Sequence, residues 1–371
     1  MLPLSMGSTS FLTGVNYWPQ RTFVRMWKDF DAAQVRADFA LLRSLHVRLV
    51  RCFLLWEDFE PRPYWVDEEA LDKLRQVFDA AQDERLLLMP ALFVGHMSGP
   101  NWLPAWAFSD EPYEGTRVFM REGERCYFRP RSLFEDEEML AAQELLAHVV
   151  AKRFRDHPAL WGWDLCNEID IVQTPSTPQV ADDWVRRMTA ALHAVDPDHP
   201  VTAGFLHRQT SDRGFQIEAH RHTDVVSVHA YPLYDPASKG HSDVDYVVRR
   251  IEDARQRAGK PAMLTEFGLP TNPDGPTTTV VTPWAGVEME RTLVNEDEAA
   301  AFVRALVSAA REAGSLGALL WCFADYDPAW YGQTPFDALI HERYFGIVAA
   351  NGRLKATGHA LRDAAEALGP R

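Results

Sequence analysis

Cysteine is scarce in this chain: its 371 residues include only Cys52, Cys126, Cys166 and Cys322. Three of these lie inside predicted strands, Cys126 lies in a predicted loop, and no two have the spacing of a metal-binding pair. The scarcity excludes a disulfide framework. We expect reduced, mostly buried thiols of the kind found in a reducing compartment.

Basic residues are outnumbered, with 38 Lys and Arg against 53 Asp and Glu, which gives a formal net charge of −15. Nucleic acids and anionic membranes bind to basic surfaces. The charge therefore excludes both as partners and favours a neutral substrate.

Long hydrophobic runs are also lacking, because no segment approaches the roughly 20 apolar residues of a membrane span. Met1–Ser10 has neither the basic start nor the apolar run of a signal peptide. We expect a soluble, cytoplasmic protein with no membrane partner. The sequence leaves its oligomeric state open.

Apolar residues are plentiful, at 46% of the chain, and 12 residues are Trp. This content can fill the core of one large barrel or of two ordinary domains. Trp rings stack on sugar rings but also fill large cores, so their number alone favours neither role.

Apolar strands alternate with amphipathic helices along the chain, and no linker or internal repeat interrupts them. The strands are nearly continuous apolar runs, as parallel strands covered on both faces require. The predicted strands are Phe11–Pro19, Val47–Trp56, Arg85–Gly95, Ala159–Asp170, Pro200–Phe205, Asp224–Tyr234, Ala262–Gly268 and Gly317–Tyr326. The predicted helices are Asp31–Leu45, Asp67–Gln82, Glu135–Arg155, Thr177–Val195, Val244–Ala258, Glu296–Ala313 and Thr357–Leu368. Eight strand-helix units in this length predict an α/β fold, a (β/α)8 TIM barrel that forms a single domain over residues 1–371.

Two long segments interrupt the alternation, at 96–134 and at 270–294. Long loops in compact domains are usually functional or disordered, and we expect both to overhang the same face of the barrel. For the tail, 345–368, we predict a hairpin with an Asn351-Gly352 turn and a last covering helix.

Polar side chains recur where the predicted strands end. Active sites of (β/α)8 barrels are built at the C-terminal ends of the strands, so these side chains should meet at one face. This clustering favours an enzyme. The residues are Asn16, Arg51, His96, Asn167, Glu168, His229, Tyr231, Glu266 and Asp325.

Glu168 and Glu266 follow the fourth and seventh strands and should face each other across the barrel mouth. Carboxylates about 5–5.5 Å apart suit retaining glycoside hydrolysis, in which one is protonated and the other ionised. Arg51 and Tyr231 are candidates to favour the charged form of Glu266, whose charge would raise the pKa of Glu168. Alternatively, Arg51 neutralises Asp164, and either Glu alone is more simply a salt-bridge partner.

The strand ends as a set resemble the clan A glycoside hydrolases, and within them family 5. The resemblance covers nearly the whole barrel and keeps the family's order of motifs. It rests on Gly14-Val-Asn-Tyr-Trp, Val50-Arg51, Asn167-Glu168, His229-Ala-Tyr231, Thr265-Glu266-Phe-Gly and Trp321.

The resemblance implies a role for each matched residue. Glu168 would be the acid/base, Glu266 the nucleophile, and Asn167 would bind the sugar 2-hydroxyl. Arg51 and Tyr231 would hold the nucleophile.

Three further residues are implied substrate contacts. His96 and His229 would line the site. Trp321 would form a platform under the sugar that precedes the scissile bond. No metal or cofactor is required.

Three segments resemble the β-mannosidase-type members of family 5: Met26-Trp27-Lys-Asp-Phe-Asp, Leu54-Leu-Trp-Glu-Asp-Phe-Glu-Pro and Gly95-His-Met-Ser-Gly-Pro-Asn-Trp. This likeness implies an enzyme that removes terminal β-mannosyl units from short oligosaccharides, in a pocket closed by the two long loops. Trp27, Trp102 and Trp284 would either wall that pocket or anchor loops. Glu57 and Asp58 would bind terminal hydroxyls or lie in a solvated loop.

Other functions remain open at this stage. The main rival is an endo-β-1,4-mannanase or endoglucanase with an open cleft. A metal-dependent barrel hydrolase would use histidines such as His220 and His222, but neither falls at a predicted strand end. In a noncatalytic sugar-binding barrel, the pocket would persist without chemistry.

Overall fold

The computed structural model describes residues 11–206, 214–284 and 287–368, with only the backbone of residue 284. Eight parallel strands form a nearly closed barrel, and the predicted (β/α)8 fold is confirmed. The strands are β1 Leu12–Tyr17, β2 Leu49–Leu55, β3 Leu87–Val94, β4 Trp163–Asn167, β5 Val201–Gly204, β6 Val226–His229, β7 Ala262–Phe267 and β8 Gly317–Leu320. Their order around the barrel is β5-β4-β3-β2-β1-β8-β7-β6.

The barrel closes less regularly between β5 and β6 than elsewhere. Here the hydroxyl of Thr202 donates to the carbonyl oxygen of Val225 at 2.9 Å. The amide of Val225 donates to the carbonyl of Val201 at 3.3 Å. These bonds join the two edges without a regular ladder.

The covering helices begin where polar side chains can accept hydrogen bonds from the first free amides, which stabilises a helix start. Six of them have such a side-chain cap, contributed by Asp31, Asp67, Asp136, Thr177, Asp243 and Asn295. The helices are α1 Ala32–Ser44, α2 Glu68–Asp83, α3 Glu137–Phe154, α4 Pro178–His193, α5 Val244–Ala258, α6 Glu296–Glu312 and α7 Ala356–Ala367.

The unit between β5 and β6 differs from the predicted eight strand-helix repeats. Among its described residues the helical segment is a 3₁₀ helix, Ile217–His222, rather than an α-helix. Short helices also follow other strands, at Trp56–Phe59 and Ile169–Val172. Within the described ranges, no helix is long and apolar enough to cross a bilayer.

Both long segments contain strands. In 96–134, one small sheet joins Asn101–Trp102, Phe119–Arg121 and Glu124–Cys126, and Phe108–Pro112 pairs with Phe128–Pro130. In 270–294, Thr278–Trp284 and Val287–Leu293 form an antiparallel hairpin.

The tail holds a tight turn before α7. Val348 bridges Ala324 in parallel and Leu354 in antiparallel fashion, and Gly352 takes a left-handed backbone with φ 82°. The carboxylate of Asp325, at a predicted strand end, pairs with Lys355 at 2.9 Å and so ties β8 to the tail rather than entering the site.

The barrel interior changes from apolar to polar towards the strands' C-terminal ends. Its lower layer includes Leu12, Leu49 and Met89. Since alternate residues of a strand share a face, Arg51 lies above Leu49 inside the barrel. This gradient places the buried polar groups at the mouth.

Candidate active site

Arg51 lies at the centre of the polar layer, with none of its side chain exposed. A guanidinium has five N–H donors, and five hydrogen bonds are present. The acceptors are Asp164 Oδ2 at 2.7 Å, Asn16 Oδ1 at 3.0 Å, Glu266 Oε1 at 2.6 Å, Cys166 O at 3.3 Å and Asn167 Oδ1 at 3.0 Å. Both roles considered for Arg51 are therefore present: it neutralises Asp164 and it holds Glu266.

Glu266 reaches the mouth because the register of β7 shifts before it. The β7–β8 pairing shifts between Leu264 and Phe267, and such an irregularity re-aims side chains at a strand end. Oε1 accepts from Arg51, and Oε2 accepts from the Tyr231 hydroxyl at 2.9 Å. Both carboxylate oxygens are therefore held in place.

Burial raises the pKa of the Glu266 carboxyl above its ordinary value, and the charge of Glu168 acts in the same direction. His229, Arg51 and the hydroxyl of Tyr231 oppose the rise. The two hydrogen bonds thus stabilise the ionised form against burial.

Glu168 follows β4 directly and takes a left-handed backbone, with φ 43°. A non-glycine residue in that region is strained, and such strain is concentrated at functional sites. One oxygen, Oε1, lies 2.9 Å from Nδ1 of His229. The other, Oε2, lies 3.8 Å from Nε2 of His96. Two imidazole rings therefore face this carboxyl group.

His229 is a neutral ring held against both carboxylates. Burial lowers the pKa of His229. Its Nδ1 lies 2.9 Å from Glu168 and 3.6 Å from Glu266, so Nδ1 carries the proton and donates to Glu168. The ring fits because residue 204 is glycine: a Cβ there would lie 2.5 Å from Arg51 Nη2 and 3.1 Å from His229 Nε2.

Asn167 links the central guanidinium to the neighbouring loop. Its Oδ1 accepts from Arg51, and its Nδ2 donates to the backbone carbonyl of His96 at 3.0 Å. Trp321 follows β8, and its ring packs edge-on against Phe53, with centroids 5.8 Å apart. Both residues line the same cavity as the two carboxylates.

A cavity of 390 Å³ opens at the barrel mouth, and we name it the carboxylate cavity. All the predicted contact residues except Arg51 and His229 line it, and those two lie directly beneath. The remaining wall was not predicted from the sequence. Its polar and aromatic members are Ser98, Tyr234, Arg291, His341, Glu342 and Phe345.

Part of the unpredicted wall comes from the hairpin, which contributes Arg291, and from a 3₁₀ helix, Ile340–Tyr344, which contributes His341 and Glu342. Arg291 lies over the ring of Tyr234, with its guanidinium carbon 5.4 Å from the centroid. The Tyr234 hydroxyl donates to Glu342 at 3.4 Å. Arg291 and Glu342 lie outside any predicted strand end or helix, so the sequence pattern gave no signal for them. Tyr234 is the last residue of the predicted strand Asp224–Tyr234 and could have been selected on that ground.

A second cavity, of 220 Å³, lies between loops of the same rim, and we name it the rim cavity. It shares no lining residue with the carboxylate cavity. The Trp102 ring stacks on Phe336 here, with centroids 6.0 Å apart, and neither residue lines the carboxylate cavity. Glu57 also faces the rim cavity and pairs with Lys28 at 2.7 Å.

The structure separates the other candidate wall residues from the carboxylates. Trp27 is a buried loop anchor whose indole N–H donates to Phe53 O at 2.8 Å. Asp58 is buried 3.3 Å from Lys28, so neither the sugar-binding role nor the solvated loop describes it. The side chain of Trp284 falls outside the described part of the chain.

Among the described residues, one cluster has metal-ligand spacing: Glu168, His229 and Glu266, with ligand atoms within 4.8 Å of one another. Arg51 already places a positive charge 2.6 Å from Glu266, so the set does not fit a cation. His220 is buried next to Thr223, and His222 pairs with Asp182 at 3.0 Å. All four cysteines are free and buried.

The chain is similar to known glycoside hydrolases. Residues 12–326 match the family described as Cellulase (glycosyl hydrolase family 5). Mannan endo-1,4-beta-mannosidase 2 of Arabidopsis thaliana is 26% identical over 139 residues, which cover 31% of this chain and 32% of that protein. Mannan endo-1,4-beta-mannosidase A of Emericella nidulans is 25% identical over 184 residues, 46% of this chain and 44% of that protein. These matches span less than half of the relatives' length.

Solved structures match over nearly the whole chain. A GH5_18 protein of Streptomyces cattleya, in complex with Manb1-4GlcNAc, has a TM-score of 0.80 at 23% identity, covering 98% of this chain and 82% of that one. At that identity the likeness shows the fold. Exo-beta-1,4-mannosidase Op5Man5 of Opitutaceae bacterium strain TAV5 has a TM-score of 0.75 at 29% identity, covering 96% of this chain and 59% of that one.

The family match begins at β1 and ends beyond β8, so it includes every strand that delivers a residue to the carboxylate cavity. The resemblance inferred from the strand-end motifs is confirmed. The chain belongs to glycosyl hydrolase family 5, a family of glycoside hydrolases.

Proposed function

We propose that the protein is a retaining β-glycosidase that hydrolyses terminal β-mannosyl units of short oligosaccharides. The observation that carries this proposal is the pair Glu168 and Glu266, which have oxygens within 4.8 Å of each other but opposite surroundings. Arg51 and Tyr231 donate to Glu266, whereas imidazole rings face Glu168. An inverting enzyme would need carboxyls about 6.5–9.5 Å apart to admit a water between them.

In the first step, Glu168 gives its proton to the glycosidic oxygen while the bond from that oxygen to the anomeric carbon breaks. A carboxylate oxygen of Glu266 bonds to the anomeric carbon through an oxocarbenium-like transition state. The leaving sugar departs as an alcohol. The hydrogen bonds to Glu266 hold its oxygens still, so little reorganisation accompanies attack.

In the second step, the Glu168 carboxylate removes a proton from water as that water attacks the same carbon from the vacated face. The ester bond to Glu266 breaks, and the sugar leaves with its configuration retained. Asn167 supports this chemistry from the side. Its carbonyl is taken by Arg51 and one amide hydrogen by His96 O, so its second amide hydrogen remains to bind a sugar hydroxyl.

Chain-end action is supported by the shape of the mouth. The carboxylate cavity, at 390 Å³, has the size of a pocket for a small ligand. The Trp102–Phe336 stack joins the loop after β3 to the segment after β8. Both rings line the rim cavity and neither lines the carboxylate cavity, and we propose that the stack separates the two. The exo-mannosidase among the structural neighbours favours the same mode.

An endo-acting β-mannanase is the second candidate, because the relatives from Arabidopsis thaliana and Emericella nidulans are mannan endo-1,4-beta-mannosidases. The two modes differ in whether substrate extends past the Trp102–Phe336 stack. The product pattern therefore distinguishes them.

The experiment is product analysis after incubation with β-1,4-mannobiose, a mannosyl-GlcNAc disaccharide and soluble mannan. We expect mannose from both disaccharides and little change in the mannan. Glu266→Ala is the inactive control. Glu57→Gln is the matched control, since it removes a carboxylate charge from the rim cavity alone.

A rapid fall in mannan viscosity with a ladder of oligosaccharides would instead establish endo action and contradict the chain-end proposal. Hydrolysis of glucosides in preference to mannosides would overturn the choice of sugar. Neither result would alter the two carboxylate roles, which Glu266→Ala tests separately.

A further inference from the structure

Asn101 forms the base of the loop that carries His96, and both its backbone and its side chain are fixed. Its backbone amide donates to Val118 O at 2.8 Å, and its Nδ2 donates to the same oxygen at 3.2 Å. Only 1% of the residue is exposed. The amide orientation follows, because the reverse orientation would place Oδ1 against the carbonyl oxygen.

The fixed amide determines the tautomer of His96. Asn101 Oδ1 lies 3.0 Å from His96 Nδ1 and can only accept a hydrogen bond. Nδ1 must therefore carry a proton. In the neutral ring the other nitrogen, Nε2, then has a lone pair and no hydrogen.

The two oxygens of Glu168 consequently meet opposite partners. Nδ1–H of His229 donates to Oε1 at 2.9 Å, and the bare Nε2 of His96 faces Oε2 at 3.8 Å. The second distance is too long for a hydrogen bond but is of the kind that shortens when substrate binds. A proton on Oε2 makes both contacts complementary, whereas a carboxylate there would face a lone pair.

We propose that Asn101 is a positioning residue for the proposed reaction: it keeps His96 in the tautomer whose bare Nε2 faces Glu168, so that Glu168 holds its acid proton on Oε2. This inference rests on the proposed role of Glu168 as the acid. The same arrangement helps the second step, because a carboxylate that faces a lone pair regains a proton readily from water.

Other titratable and charged groups also face Glu168, and any pH effect of Asn101 must be separated from theirs. They lie on β2, β6 and β7, on the short helix after β4, on the segment after β6, on the hairpin and on the 3₁₀ helix Ile340–Tyr344. They are Arg51, Asp170, His229, Tyr231, Tyr234, Glu266, Arg291, His341 and Glu342.

The direct test is ¹⁵N NMR of the wild-type protein labelled at histidine, near pH 8, with His96→Gln to assign the signals. We expect His96 to show a protonated Nδ1 and an unprotonated Nε2. In Asn101→Ala the pattern should shift towards a protonated Nε2. A protonated Nε2 in the wild-type protein would overturn the proposal, whether or not the enzyme is active on mannosides.

The kinetic test uses Asn101→Asp, which keeps the side-chain shape but replaces the Nδ2 donor to Val118 O by a carboxylate oxygen, so its folding is checked first by Tm. A carboxylate beside Nδ1 stabilises the doubly protonated ring, whose Nε2–H then donates to Oε2 and favours ionised Glu168. We expect kcat/KM for mannobiose to fall about 100-fold, the lower end of what general acid catalysis contributes. An aryl β-mannoside with a good leaving group should lose much less, and the alkaline limb of the mannobiose pH profile should move to lower pH.

Val118→Ala is the matched control, because it loosens the same loop but leaves the carbonyl that orients Asn101. We expect small and equal effects on both substrates. If Asn101→Asp also lowers both substrates equally, Asn101 has a structural role and the proposal fails. The acid role of Glu168 itself is tested separately by Glu168→Ala.

Discussion

The two cavities at the barrel mouth contain similar residue types but differ in how their charges are paired. Beneath the carboxylate cavity, Arg51 donates five hydrogen bonds to five acceptors, and both oxygens of Glu266 are hydrogen-bonded. Beside the rim cavity, burial raises the pKa of Asp58 to about 7, and the ammonium of Lys28, 3.3 Å away, opposes this rise. Among the described residues, neither oxygen of Asp58 accepts a hydrogen bond of good geometry. Carboxylates and tryptophans near a strand end are thus not sufficient for a site. The carboxylate cavity differs from the rim cavity in two ways: a buried guanidinium whose five donors are all hydrogen-bonded, and the close spacing of Glu168 and Glu266.

The largest expected difference between the cavities concerns the carboxylates themselves. Glu266→Ala should lower kcat on every substrate by about 10⁴-fold or more, because the covalent intermediate cannot form. Glu57→Gln should stay within about threefold of wild type, since its charge lies in the rim cavity. Steady-state kinetics on an aryl β-mannoside measures both. Comparable losses in the two variants would remove the distinction between the cavities.

Glu168→Ala sharpens the comparison within the carboxylate cavity. Mannobiose should lose about 10³-fold in kcat/KM, within the range that general acid catalysis supplies. An aryl mannoside with a good leaving group needs little protonation and should retain far more of its glycosylation rate. The ratio of the two losses is the measurement. A ratio near one would contradict the acid role.

Arg51→Lys tests whether catalysis depends on the five hydrogen bonds that the Arg51 guanidinium donates. A lysine has three donors and lacks the planar arrangement of N–H groups of a guanidinium, so several of the five acceptors lose their partners. We therefore expect the free energy of unfolding to fall by about 3 kcal/mol. The activity should fall about 100-fold, the scale seen when one preorganised donor is removed from an active site. Because Arg51 opposes the burial-induced rise in the pKa of Glu266, the acidic limb of kcat/KM should also move to higher pH. An unchanged acidic limb would separate Arg51 from the nucleophile.

The acidic limb of the wild-type kcat/KM profile should also reflect the raised pKa of Glu266. The nucleophile must be ionised, so kcat/KM falls as the pH drops through the Glu266 pKa. Burial raises that pKa, and the limb should lie above the range of an ordinary glutamate.

If the Trp102–Phe336 stack separates the two cavities, removing it should let a longer substrate span both. Trp102→Ala removes one ring of the Trp102–Phe336 stack, and we expect the ratio of mannobiose to mannose among the products of mannopentaose to rise above that of wild type. Chromatography of the products measures this ratio. Trp65→Ala is the control, because Trp65 is an exposed aromatic residue outside both cavities. Only mannose from the Trp102 variant would mean that the stack is not the barrier.

The effect on activity is expected to be smallest for Glu60, a buried acid that lines neither cavity, and the test at this residue is one of stability. Burial raises the pKa of Glu60 to about 8, so the folded protein binds its proton more tightly than the unfolded chain does. Stability is therefore lost as pH rises from about 4.5 to about 8, at up to about 1.4 kcal/mol per pH unit. Glu60→Gln should reduce the fall in Tm between pH 5 and pH 8. An equal or steeper fall would show that Glu60 does not titrate in this range.

Much of the barrel could be predicted from sequence because parallel strands need continuous apolar runs and helices need capped, periodic ones. The strands deviate from simple alternation where the site is built. The β4–β5 pairing shifts between Thr202 and Gly204, which brings both Asp164 and Asn167 onto Arg51, and a similar shift re-aims Glu266. Such register shifts have no local sequence signature. The site residues could therefore be predicted only from the strand-end motifs and not from the strand pattern.

Residues outside the repeat were not predictable in the same way. Arg291 and Glu342 reach the carboxylate cavity from a hairpin and a 3₁₀ helix, and their contribution depends on how long loops fold back over the mouth. Asn101 acts through His96, and its position becomes informative only when its hydrogen bonds are known. Trp321 follows a strand and Trp102 lies in the long loop after β3, and packing places the two rings in different cavities.

The most direct single measurement is time-resolved ¹H NMR of mannopentaose hydrolysis by the wild-type enzyme. We expect mannose and a shortened oligosaccharide from the first turnover, with the released mannose formed as the β-anomer before it equilibrates in solution. Mannose that first forms as the α-anomer would contradict a covalent intermediate on Glu266. Mannobiose and mannotriose as first products would contradict the closed carboxylate cavity as a chain-end pocket.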